Sequence, residues 1–238
     1  MTTKRLLLVS ATQFELQPTI DFCNQHFTSL APFQWQANNV QIQWLESGVG
    51  AAITSHVLTA FLSKQPPFTL VLNAGIAGAY THQNLEIGQV CLVKTECFAD
   101  LGAQTAQNNF IKLSDFWTPP PTLWPYQNDT LDLPTLPFNT FRALPQVEAL
   151  TVNTCSGEPT TIENLYKRYP NSSLESMEGA AVTYCCRQLN QSVILLKSIS
   201  NYVEPRNKSH WQIPLAVKNL NDTIAQFLQE FINMESFA

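Results

Sequence analysis

Leu174 to Asn201, LESMEGAAVTYCCRQLNQSVILLKSISN, is the stretch on which the reading of this chain turns. Ser173 to Ser176 reads as an extended entry and Met177 to Leu189 as a helix. After Asn190-Gln191, the run of β-branched residues and leucines from Ser192 to Ile199 reads as a buried strand. Glu178 then falls in the first turn of the helix, where free amides and the positive dipole end favour an ionised carboxylate. Asn201 falls just past the carboxyl end of the strand, the edge at which open α/β sheets place their ligands. Either residue alone has an ordinary explanation, a helix-start charge for Glu178 and a turn residue for Asn201. Their convergence on one edge makes them a candidate site.

A chain of 238 residues, 45% hydrophobic and 13% charged, is long enough for one sizeable core. A net charge of −5 without a Lys/Arg cluster argues against a nucleic-acid surface, which needs a basic stripe to neutralise phosphates. The apolar run in MTTKRLLLVSAT is too short for a signal-peptide core and reads as a parallel strand, so a cytoplasmic protein is expected. The six cysteines contain no C-x-x-C pair, and Cys185-Cys186 lie side by side in an apolar helix, so reduced, buried thiols are expected. The four histidines are scattered, and no metal site is expected.

Outward from the opening stretch, strands are expected at Arg5 to Ala11, Gln41 to Glu46, Phe68 to Gly75, Gly88 to Phe98 and Val147 to Asn153. Helices are expected from Thr12 to about His26, from the Ser47-Gly-Val-Gly50 loop through Ser63, from Glu158 to Tyr169, and from Ile213 to Ile232. Alternation of these elements gives an α/β fold. Asn73 to Gly78 reads as a glycine-opened turn that lets backbone approach a ligand, and Thr154 to Gly157 as another turn. Gly48-Val-Gly50 lacks the third glycine of a dinucleotide loop and the Gly-Lys-Ser/Thr of a phosphate loop. The proline- and aromatic-rich segment around 114–145 is too apolar for a linker and too broken for a helix; it reads as an ordered lid or rim.

The run from Glu175 to Val182, followed by Ser200-Asn201 at the end of the next strand, resembles the purine nucleoside phosphorylase and nucleosidase superfamily. Its signature is Met-Glu-(Gly/Ala)-Ala and then Ser-Asp or Ser-Asn. The resemblance implies a single nucleosidase domain over 1–238, three-layer α/β/α with a central mixed, twisted sheet, no cofactor, a small nucleoside as ligand, and a homo-oligomer. It implies that Glu178 holds the ribose hydroxyls, that Met177 lies under the sugar, and that Ala11 to Glu15 matches the strand, small residue and glutamate that activate water. Asn73 and Gly75 would lie beneath the sugar, and Thr154 and Cys155 in the turn that receives the base. A phosphorylase needs arginines or lysines around its phosphate, and none lies between Val9 and Lys64, so hydrolysis is favoured.

Within the superfamily the chain resembles the futalosine hydrolase family most, through Glu175 to Ala181, Ala99-Asp-Leu-Gly-Ala103 and Ile199-Ser-Asn-Tyr-Val-Glu-Pro-Arg-Asn-Lys-Ser-His-Trp211. Ile76 and Lys197 depart from the serine and arginine of adenosine-type nucleosidases, both near the expected water. The resemblance implies cleavage of futalosine to hypoxanthine and dehypoxanthine futalosine in menaquinone biosynthesis. The alternatives are another purine nucleosidase, of the methylthioadenosine/S-adenosylhomocysteine type, or a catalytically silent nucleoside-binding protein. An amide at 201 can donate to both N7 and O6 of a 6-oxopurine, which suits hypoxanthine. For the benzoate arm of futalosine, Arg206, His210 and Trp211 are candidates, with Phe116, Trp117, Trp124 and Arg142 from the lid or its copy in a neighbouring subunit.

Overall fold

The computed structural model describes residues 3–107, 109–118, 120 and 129–234. In chain order, β1 (Lys4–Ser10) leads to α1 (Gln13–His26), then to the strands β2 (Thr28–Ala31), β3 (Gln34–Ala37) and β4 (Val40–Glu46) and to α2 (Ala51–Leu62). Next come β5 (Leu70–Ala79), β6 (Val90–Phe98), the short pair β7 (Gly102–Gln104) and β8 (Phe110–Lys112), α3 (Leu113–Phe116), β9 (Leu131–Asp132) and α4 (Asn139–Arg142). The last part is β10 (Gln146–Thr151), α5 (Pro159–Arg168), β11 (Ser172–Ser176), α6 (Gly179–Gln188), β12 (Val193–Tyr202) and α7 (Ile213–Asn233).

The main sheet runs β11-β10-β6-β12-β5-β1-β4-β3-β2. β4, β1, β5 and β12 are mutually parallel, β6 is antiparallel to β12, and β10 and β11 are parallel to β6. β11 then pairs antiparallel with β5 through Leu174↔Ala79 and Glu175↔Gly78, which closes that half of the sheet into a small barrel. This closure brings the end of β11, and Glu178 just beyond it, to the carboxyl ends of β1, β5 and β12.

Alternation along β1 explains why its run is apolar throughout. Leu6 and Leu8 join the core under α1 and α7, while Leu7 and Val9 join the core under α2 and α6, so both faces are covered. The expected three-layer architecture with a mixed sheet is present. α1 carries Pro18 in its interior, and there Asn221 of α7 reaches across: its Nδ2 donates to the Glu15 carbonyl (2.8 Å), and its Oδ1 accepts from the Thr19 N–H (3.0 Å). These are the two groups an unbroken helix would join to each other. Asn221 therefore splints α1 one turn past its start.

Several boundaries differ from expectation. α6 starts at Gly179, and Glu178 is its N-cap, because β11 runs to Ser176 and Met177 turns the chain. Asn73 to Gly78 is not a turn but the second half of β5, held extended by pairing with both β12 and β11. Asn201 likewise lies inside β12, whose pairing with β5 continues to Tyr202. Of the 114–145 segment, Leu131, Leu133, Phe138 and Phe141 are buried, the last two against Phe227 of α7. That part is core, whereas Phe116 and Trp117 are exposed; Trp124 lies outside the described residues. The six cysteines are free thiols, and burial pushes those of Cys23, Cys91 and Cys97 up to about 12. No helix among the described residues is long and apolar enough to cross a membrane.

Candidate active site

Thr12 caps α1, and Glu15, at the third helical position, returns its Oε2 to the Thr12 N–H at 3.0 Å, a capping box. Its Oε1 accepts from the Ile76 N–H of β5 at 3.0 Å, so the side chain is fixed from two elements. β5 can come this close because residue 75 is glycine: a side-chain carbon there would stand 2.7 Å from Glu15 Oε1 and 3.4 Å from Lys197 Nζ. Burial pushes the Glu15 carboxyl above its ordinary range, and the Glu178 charge adds to this; Lys197 and the two backbone N–H groups pull the other way. A carboxylate so placed can accept a proton from water.

Glu178 is buried, and its Oε1 accepts from the Gly50 N–H at 2.9 Å, which gives the Gly-x-Gly loop a direct part in the site. On β12, Ser200 Oγ donates to Asn201 Oδ1 (2.8 Å) and Asn201 Nδ2 donates to the Tyr202 carbonyl (2.9 Å). The Tyr202 carbonyl, which can only accept, thereby fixes which end of the amide is the donor, leaving one N–H of Nδ2 available. Glu15, Glu178, Asn201, Ala11, Met177, Cys155 and Trp211 line one cavity of about 300 Å³. Cys155 Sγ lies 3.4 Å from Met177 Sδ.

The other expected residues lie behind or beside this cavity. Asn73 is buried and donates to the Val9 carbonyl at 3.1 Å, joining β5 to β1. Gly75 and the buried Lys197 back the Glu15 carboxylate. Thr154 lines a neighbouring cavity of about 370 Å³ with Asp100 and Arg168. Arg206 is exposed, with its guanidinium 5.2 Å from the Trp211 ring centre. His210 Nδ1 contacts Glu204 Oε1 at 2.6 Å, and neither is among the cavity's lining residues. Arg142 neighbours Glu230, about 25 Å along α7 from the lining residue Ile213, so it does not serve the site of its own subunit.

Three residues absent from the sequence-based set matter here. Glu175 lines the cavity, its Oε1 accepting from the Ser156 N–H (2.8 Å) and its Oε2 from Ser156 Oγ (2.6 Å) and Tyr80 (3.0 Å). Glu96, fully buried beneath Glu178, accepts from Thr151 Oγ1 (2.9 Å) through Oε2, while its Oε1 has no hydrogen-bond partner among the described residues. Burial pushes the Glu96 carboxyl up to about 7 against the charge of Lys197. A side chain at Gly179 would meet Glu96 Oε1 at 1.8 Å, so the glycine that opens α6 is required by this acid. Asn221 is the third. The Glu at 175 in the Glu-Ser-Met-Glu run was a readable signal; Glu96 and Asn221 had none.

The model of the family described as the Phosphorylase superfamily matches residues 5–233. The chain belongs to this superfamily. It is 30% identical over 192 residues to a futalosine hydrolase of Streptomyces coelicolor, covering 76% of each chain. Against the futalosine hydrolase of Thermus thermophilus it is also 30% identical over 192 residues, covering 79% of this chain and 81% of the relative. A crystal structure of the MTA/SAH nucleosidase superposes with a TM-score of 0.76 at 21% identity, over 99% of this chain and 98% of that one. Like these relatives, this member of the superfamily is an enzyme, an N-glycosyl hydrolase.

Proposed function

We propose that the chain hydrolyses the N-glycosidic bond of futalosine, releasing hypoxanthine and dehypoxanthine futalosine as a step of menaquinone biosynthesis. The observation that carries this reading is the pairing of Glu15 with Asn201 on one cavity. One is a fixed acceptor for a water proton, the other a fixed donor for the departing base. In this reading Glu178 accepts from the ribose hydroxyls and Met177 supports the sugar. As the bond to C1′ lengthens, negative charge gathers on the base, where the Asn201 N–H meets it, and Glu15 draws a proton from the attacking water. Lys197 moderates the charge behind Glu15, and Asn73 and Gly75 fix the strand that carries the Ile76 N–H. No arginine or lysine is among the described residues lining the cavity, which supports water over phosphate as nucleophile.

Arg206, stacked on Trp211 at the cavity wall, is the proposed partner of the benzoate. Phe14 and Val49 line the cavity yet are 61% and 47% exposed, which supports a second subunit over the mouth and a homo-oligomer, expected in the cytoplasm. The single domain, with the lid or rim expected around 114–145 narrowed to the exposed Phe116 and Trp117, belongs to the same reading. A second reading, a 6-amino purine nucleoside as substrate, is favoured by the overall likeness to the MTA/SAH nucleosidase.

The test is to incubate the protein with futalosine, inosine and methylthioadenosine, with and without phosphate, and to follow base and sugar release. Hypoxanthine release from futalosine, independent of phosphate and fastest of the three, is the expected result. A sugar phosphate among the products, or faster release of adenine, overturns it.

A further inference from the structure

Glu175 has no part in the mechanism above, yet it occupies the cavity wall with a charged side chain that is only 6% exposed. Its place follows from the barrel closure. Glu175 is the register partner of Gly78 on β5, and Gly78 is the register partner of Asn201 on β12. The carboxyl and the amide therefore flank one glycine, on either side of the same strand. A side-chain carbon at Gly78 would stand 3.3 Å from Asn201 Nδ2.

A carboxylate has about four acceptor positions on its two oxygens. Oε2 receives two donors, from Ser156 Oγ and Tyr80, whereas Oε1 receives one, the Ser156 N–H. Burial and the Glu175 charge both raise the Tyr80 phenol, so it stays a donor. Glu175 is thus held in place from two sides with acceptor capacity left on Oε1 and no donor in hand. The same bonds have a second effect. The Ser156 N–H, in the turn expected to receive the base, is already committed to Glu175 and is not free to donate to a ligand.

The purine bases differ at this edge. Hypoxanthine presents an acceptor at O6 and a donor at N1–H, whereas adenine presents a donor at the 6-amino group and an acceptor at N1. An amide N–H next to a carboxylate matches the first pattern and opposes the second, since adenine N1 would face a carboxylate with no hydrogen between them. We propose that Glu175 accepts the N1–H of a 6-oxopurine, so that Asn201 and Glu175 together form the base reader. This rests on the reading of the cavity as a purine nucleoside site and names what selects the base within it. The bonds to Ser156 and Tyr80 orient the carboxylate for that task, and they explain why an acid is kept in a nearly closed cavity wall.

The experiment measures binding of free hypoxanthine, adenine and 1-methylhypoxanthine by calorimetry, and kcat/KM on a 6-oxo and a 6-amino nucleoside, for the wild type, Glu175→Gln and Ser156→Ala. The wild type is expected to bind hypoxanthine at least tenfold more tightly than either other base, the scale of about one charge-assisted hydrogen bond. In Glu175→Gln the preference over adenine should fall by about tenfold, because the amide can turn its NH₂ toward adenine N1. In Ser156→Ala affinities should fall for both bases together, with their ratio kept. Equal losses for hypoxanthine and adenine in Glu175→Gln, or wild-type binding of 1-methylhypoxanthine as tight as that of hypoxanthine, overturn the proposal and leave Glu175 a clamp on the turn. Binding with this pattern but without cleavage of any 6-oxopurine nucleoside would sustain Glu175 as the reader while overturning the hydrolase reading itself. If Glu175→Gln fails to fold, Glu175→Asp takes its place, with weaker hypoxanthine binding and unchanged adenine binding expected, and the wild-type comparison still overturns the proposal if 1-methylhypoxanthine binds as tightly as hypoxanthine.

Discussion

At the carboxyl ends of β1, β5, β11 and β12 the interior holds Glu15, Glu96, Glu178 and Lys197; under the far half of α7 it holds Phe138, Phe141, Phe227 and Phe231. Both regions are largely buried, but they stand on opposite sides of the stability balance. The phenylalanines pack edge-to-face and stacked, with ring centres 4.9 Å apart for Phe138 and Phe227 and 5.0 Å for Phe141 and Phe227, and contribute apolar burial throughout. The acids lose hydration that their few partners only partly replace, as the unpartnered Glu96 Oε1 and the raised Glu15 and Glu96 carboxyls show. One end of the sheet stabilises the fold, and the other spends part of that stability on chemistry.

That contrast can be broken most strongly at Glu15. Glu15→Gln should lower turnover by about 10²- to 10⁴-fold, the usual range for a lost general base, with at most a small shift in melting temperature, since removal of a buried charge is offset by one backbone N–H, of Thr12 or Ile76, losing its acceptor. Rates of base release and calorimetry check both halves. Because the Glu15 carboxyl is raised and must be ionised to act, the acid limb of kcat/KM should lie above the ordinary glutamate range and vanish in this variant. At the other region the signs reverse. Phe227→Ala should cost about 3–5 kcal/mol of stability in denaturant titration, with KM and kcat on the remaining folded protein unchanged.

Glu96 sharpens the comparison through pH. Its carboxyl is raised from 4.5 to about 7, so the folded state holds this proton more tightly than the unfolded state. The stability it contributes is full below pH 4.5 and is lost as pH rises to about 7, a difference of about 3 kcal/mol. Glu96→Gln should flatten that stretch of the stability curve; an unchanged slope would mean that Glu96 ionises freely in the fold. The smallest effect is expected at Asn221, where alanine leaves the Thr19 N–H and the Glu15 carbonyl unpaired, at about 1–3 kcal/mol. The same variant should lower kcat more than KM, because it loosens the turn that carries the Glu15 side chain.

Much of the sheet was legible because its strands are apolar on both faces and flanked by clear breaks, as in Arg5 to Ala11 and Ser192 to Ile199. The failures share one cause, pairing between residues distant in the chain. Asn73 to Gly78 has the composition of a turn, yet two neighbouring strands draw it straight, and the same pairing carries β12 past Asn201. The hairpin of β2 and β3 went unread because β2 is mixed and mostly exposed, and β3, though it alternates, is only four residues long. Within the site, Glu15 and Glu178 stand at helix starts, where position makes a residue a candidate, whereas Asn201 was expected past the strand that in fact runs through it. Glu96 sits mid-strand between Thr95 and Cys97, and only the approach of Gly179 reveals what it touches. Within the proline- and aromatic-rich segment Phe116 and Trp117 are exposed, whereas Phe138 and Phe141 lie in the core, a division its composition does not mark.

The bond from Asn221 to the Glu15 carbonyl spans 206 positions of chain, and Lys4 Nζ is likewise bonded to the carbonyls of Phe231 and Met234. On the ribosome this imposes an order of events. α1 is made well before α7, with Pro18 interrupting the helix beside Glu15, the proposed base. Until α7 has been made and has docked, the Asn221 bonds that splint α1 are missing, and Glu15 stands on a turn free to fray. The proposed base is thereby the part of the site whose support is completed only after the strands that carry its partners, β5 and β12, are already in place.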